Sequence, residues 1–135
     1  MPERIEFGET LYALIIRADF SDGGIHFFTP HEFSQQLAYM SRPSGYRIQP
    51  HYHRKISRQV FLTQEVLFIK TGRIRVDFFD EDQAYLGNTI LSAGDVILLC
   101  EGGHGFEVIE QCEMIEVKQG PYLGEDDKVR FSADS

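Results

Sequence analysis

Between residues 45 and 118 the chain is a succession of short apolar runs, each closed within a few residues by turn-forming chemistry. That rhythm constrains the fold more than any other feature. The runs are residues 46–53, 57–62, 65–70, 73–79, 85–91, 95–100, 106–109 and 113–118. Turns fall between them at Thr71-Gly72, Asp80-Glu81-Asp82, Ser92-Ala93-Gly94, Glu101-Gly102-Gly103 and Glu110-Gln111. Runs of about four to eight residues have strand length rather than helix length, and Gly, Asp and Ser supply the tight reversals. Short strands at this density predict a sandwich or barrel.

Upstream, residues 11–20 (LYALIIRADF) are apolar with few breaks, and Ser21-Asp22-Gly23-Gly24 separates them from the aromatic run 25–28. This predicts strand, turn, strand. In Thr29-Pro30-His31-Glu32, Thr suits an N-cap, Pro the first helical position and Glu the third. Phe33, Leu37 and Met40 follow at helical spacing, so one short N-terminal helix is expected before Arg42-Pro43-Ser44-Gly45 stops it. Residues 128–131 read as a final edge strand, and the acidic residues 124–127 as a solvated turn. The expected architecture is mainly all-β with that single helix.

At 135 residues the chain has the length of one domain, taken as 1–135, and can bury a core without metal or disulfide staples. Eleven Phe and six Tyr suit a packed interior. A formal net charge of -8, with no dense block of Lys and Arg, argues against nucleic acid as a partner. Cys100 and Cys112 have no Cys-x-x-Cys spacing and are too few for a disulfide framework, which fits a reduced cytoplasmic setting. The first ten residues carry charges where a secretory signal needs an apolar core, and no apolar run reaches membrane-span length. The expectation is a soluble protein without a membrane partner.

The residues that carry chemistry begin with the one His-x-His, His51 and His53. In an extended strand both share one face and Tyr52 turns away. Imidazole and carboxylate together suit zinc, iron, nickel or manganese, whereas the plain alternative is two polar residues on a solvated strand face. Glu65 opens the next apolar run, and its plain alternative is a salt bridge to Arg73 or Arg75 across a hairpin. His104 follows Gly102-Gly103, where an ordinary turn histidine is the alternative. His26 and His31 read as structural or exposed, and Cys100 as an inert buried thiol. Tyr46, Arg58, Gln59, Gln64 and Glu107 are candidate pocket-lining residues, and Phe61, Phe68, Phe78 and Phe106 are expected in the core.

Gly45, His51, His53, Glu65 and Gly72 resemble the first motif of the cupin superfamily: Gly, five residues, His-x-His, a short spacer, Glu, six residues, Gly. The spacing matches at both ends, while eleven residues, RKISRQVFLTQ, stand where three or four are usual. They read as a longer hairpin. Gly94, Gly102 and His104 match the second motif loosely, with Cys100 at its Pro position. The resemblance spans roughly residues 45–118 and is nearest to small single-domain cupin-fold metalloproteins. It implies a double-stranded β-helix of jelly-roll type, and one divalent transition-metal ion (Zn, Fe, Ni or Mn) on His51, His53, Glu65 and His104. It also implies a small-molecule ligand such as a sugar or carboxylate. If the protein is an enzyme, a metal-dependent isomerase or oxygenase (dioxygenase) is expected; the alternative is a non-catalytic binding or sensing module with a structural metal. Barrels of this class pair through edge strands, and an open edge at residues 11–19 or at the C terminus would be a liability, so a homodimer is expected.

Overall fold

The computed structural model describes residues 1–132 and contains eight strands. They are β1 (Glu3–Phe7), β2 (Thr10–Ile16), β3 (Gly24–Phe27), β4 (Ala38–Ser41), β5 (Glu65–Phe79), β6 (Tyr85–Ser92), β7 (Val96–Leu99) and β8 (Gly103–Lys118). All pairings are antiparallel. The main sheet runs β1-β2-β7-β5-β6, with β8 on the other side of β5, while β3 and β4 form a separate two-stranded sheet. The all-β expectation is met by a curled, barrel-like half-barrel sheet.

Two expected turns lie inside strands. In β5 the buried residues are Leu67 and Ile69, then Ile74, Val76 and Phe78. The odd set gives way to the even set, so the alternation slips by one residue. A continuous strand can keep both sets on one face only through a bulge. The β5–β8 register shifts between Ile69 and Ile74, and Thr71 faces Glu113 there. Gly72 sits at φ +83°, where a Cβ would run into the backbone of Gln111 and Cys112. The pairs 65–70 with 73–79 and 106–109 with 113–118 are therefore single bulged strands. The bulge turns a flat hairpin into a curved one.

The concave core holds Ala13, Ile15, Leu67, Ile69, Ile74, Val76, Phe78, Leu91, Ile97 and Leu99. On the convex side Leu14, Leu98 and Cys100 are covered by Leu11, Phe28, Phe33 and Leu37. β2 and β7 are thus buried on both faces, which is why 11–16 reads as an unbroken apolar run. Asp95, 6% exposed, fastens this layer: its carboxylate accepts from Ala18 N and Ser92 N, each at 2.8 Å, and pairs with Arg17 at 3.1 Å.

Several expectations are corrected. The N-terminal helix does not form. Thr29 Oγ1 instead donates to Gln36 Oε1 (2.8 Å) and accepts from Leu37 N (3.2 Å), while Phe28 N bonds Leu37 O, closing a loop that ends in β4. Gln36 Nε2 satisfies the Pro30 and Phe33 carbonyls. Phe33 and Leu37 still bury, so the apolar spacing was meaningful and its helical reading was not. Residues 46–53, 57–62 and 128–131 form no strand, β1 was not anticipated, and residues 11–19 are not an edge because β2 lies between β1 and β7.

Candidate metal centre

The four proposed ligands fall into two pairs. The first is made by curvature. β5 is 15 residues long, which fully extended would place its ends about 45 Å apart. His104 stands opposite Phe78 near one end, yet its Nε2 lies 2.9 Å from Oε1 of Glu65 at the other. Glu65 shares the inward parity of Leu67 and Ile69, and His104 takes the face of its partner Phe78. The two side chains meet across the interior of the curl. They are 13% and 27% exposed.

The same curl brings two residues that sequence reasoning missed. Glu116 is opposite Leu67 and Lys118 opposite Glu65, so both face inward, with Lys118 Nζ 3.6 Å from Glu116. The His104 hydrogen bond holds the Glu65 carboxyl down at about 2, against the opposing effect of burial and with help from hydrogen bonding to Glu116 and from the charges of His104 and Lys118. Glu116 moves the other way, raised by its hydrogen bond to Glu65, by burial and by Glu65's charge, with Lys118 opposing. Only the β5–β8 register, invisible in sequence, could have pointed to these two.

The second pair sits on the arm formed by residues 42–62, which is exposed throughout and belongs to no strand. The rings of His51 and His53 are 5.3 Å apart between centroids, at 79°. His51 Nδ1 is 2.9 Å from the Gln49 carbonyl. A carbonyl can only accept, so Nδ1 carries the proton and the Nε2 lone pair is left for a metal. Among the described residues no group of three or more His, Cys, Asp and Glu is assembled for a metal. Three imidazoles and an ionised carboxylate nevertheless form a donor set that suits a first-row divalent ion.

The plain alternative for Glu65 fails: Arg73 pairs with Glu110 at 3.7 Å and Arg75 with Asp77 and Glu107, each at 2.8 Å. Beside the inward cluster runs an open groove of about 1580 Å³ whose wall includes Arg58, Gln59, Gln64, Glu116 and Lys118. Tyr46 and Glu107 are not part of it; Tyr46 lies under Arg42 at 4.4 Å. Gln64 also anchors the wall, its Oε1 accepting from Ser34 Oγ and Gln35 N. Phe78 is in the core as expected, but Phe61, Phe68 and Phe106 are exposed. His26 contacts Gly23 O and Asp22, and His31 is exposed. Cys100 and Cys112 are free thiols, and burial first, then Glu101, pushes Cys100 up to about 12, as an inert thiol requires. No helix among the described residues is long and apolar enough to cross a membrane. In comparisons with protein-family models, curated proteins and solved structures, nothing matches this chain.

Proposed function

We propose that this is a cytoplasmic metal-binding protein of the cupin kind, with Glu65 and His104 as the fixed half of the centre and His51 and His53 as the half carried by the arm. The observation that carries the reading is the Glu65–His104 pair at 2.9 Å inside the curl, with the carboxyl held ionised. A metal ligand must be deprotonated before the ion arrives, and this one is. His51 adds a tautomer already set for coordination through Nε2. A bound divalent ion would supply Lewis acidity toward a small polar ligand such as a sugar or carboxylate. Glu116 and Lys118, at the wall of the groove, would meet that ligand's polar groups. Isomerase or oxygenase chemistry and plain binding share this arrangement, and product formation separates them.

The test is elemental analysis of the purified protein, followed by calorimetric titration with Zn, Ni, Fe and Mn. Wild type should bind one ion per chain, and His104→Ala or the pair His51→Ala/His53→Ala should weaken binding at least about tenfold with the fold intact by circular dichroism. Equal affinity in wild type and His104→Ala sinks the proposal.

A further inference from the structure

The arm and β8 are each incomplete, in complementary ways. No Asp or Glu occurs between Glu32 and Glu65, although the chain as a whole carries -8. That acid-free stretch holds Arg42, Arg47, Arg54, Lys55 and Arg58, none of which makes an ion pair among the described residues. It also exposes Ile48, Tyr52, Ile56 and Phe61.

β8 is the counterpart. Its 16 residues pair with β5 on one side, and no strand among the described residues pairs with the other. Glu107, Glu110, Glu113 and Glu116 recur along it. Its apolar residues are exposed on both faces: Phe106, Val108 and Met114 on the concave side, and Ile115 and Val117 on the convex side beside Phe68. A long, open, apolar edge demands a partner strand. A second β8 is a poor one, since it would bring two rows of carboxylates together. A basic strand is a good one.

We infer that the arm, residues 42–62, docks on the free edge of β8 in a second copy of the chain, and the second copy returns its own arm, giving a two-fold exchanged dimer. The isolated chain leaves every residue of its arm exposed. An arm folded back on its own β8 would cover the edge and one face, leaving Phe68, Ile115 and Val117 open; a second body beside the strand covers both. Residues 42–62 together with the 16 of β8 reach the roughly 20–30 residues a side of a stable interface. Pro50 fits as well, because a strand laid on β8 becomes the new edge, where a missing N–H can face outward. Exchange also carries His51 and His53 to the neighbour's Glu65 and His104, so each centre is shared. That last consequence rests on the metal reading; the interface does not.

Light scattering should give the mass of two chains for wild type, and a single-chain mass overturns the exchange. Arg54→Glu/Lys55→Glu/Arg58→Glu and, separately, Glu110→Lys/Glu113→Lys should each produce monomers with unchanged circular dichroism. Combining the two sets in one chain should restore the dimer; a combined variant that stays monomeric, or single sets that leave the dimer intact, overturns the pairing. For the shared centre, His51→Ala/His53→Ala chains are unfolded and refolded together with Glu65→Gln/His104→Gln chains. Two-fold exchange predicts about a quarter of the wild-type metal per chain, from the mixed dimers alone. No metal in the mixture, with wild type loaded, means closure within one chain; no metal in wild type refutes the metal reading and leaves the mass measurements to judge the interface.

Discussion

Acid titration of Glu65 offers a direct quantitative test of the inward cluster. Its carboxyl is held at about 2 against an ordinary 4.5. A group whose pKa is depressed by folding contributes stability that is complete above the unfolded value and is lost as pH falls through the folded one. The whole difference corresponds to about 3 kcal/mol at neutral pH, with about 1.4 kcal/mol of it left at pH 3, so about 2 kcal/mol disappears between pH 7 and pH 3. Glu116 is raised by the same contact and contributes with the opposite sign. The measurement is therefore made in a Glu116→Gln background, where the amide still offers Glu65 a donor. Urea unfolding of Glu116→Gln and Glu65→Gln/Glu116→Gln at pH 7, 5, 4 and 3 gives the stability difference at each pH. That difference should shrink by about 2 kcal/mol on acidification. A difference flat to within about 0.5 kcal/mol would refute the assignment of His104 and its neighbours as the groups that hold Glu65 ionised.

Two further substitutions probe what shapes the site. Asp95→Ala strands two backbone N–H groups and Arg17 in a nearly closed setting, and should cost about 3–5 kcal/mol in chemical denaturation. Gly72→Ala forces a side chain into the backbone of Gln111 and Cys112 at a positive φ, and should cost at least about 2 kcal/mol while lowering metal affinity by relaxing the curl. Gly23→Ala, with open space around it, should stay within about 0.5 kcal/mol of wild type by thermal melting.

The sequence by itself determined that the chain is built from short strands, because period-two apolar patterns and turn residues act over a few neighbours. It also held the phase slip between Ile69 and Ile74, but a local reading sees Thr71-Gly72 as a turn. Whether a glycine reverses a chain or bulges it depends on what pairs across from it, here residues 110–113 of β8. The missing helix has a similar cause: Thr29, Pro30 and Glu32 make a good helix start, and the side chain of Thr29 bonds forward to Gln36 and Leu37 instead. His51, His53, Glu65 and His104 could be named from sequence. Their division into two pairs, and the arrival of Glu116 and Lys118 beside Glu65, could not. Residue types and spacings are written along the chain, whereas the meeting of Glu65 with a residue 39 positions later is decided by how far the β5–β8 ribbon bends, and only packing of the concave core sets that.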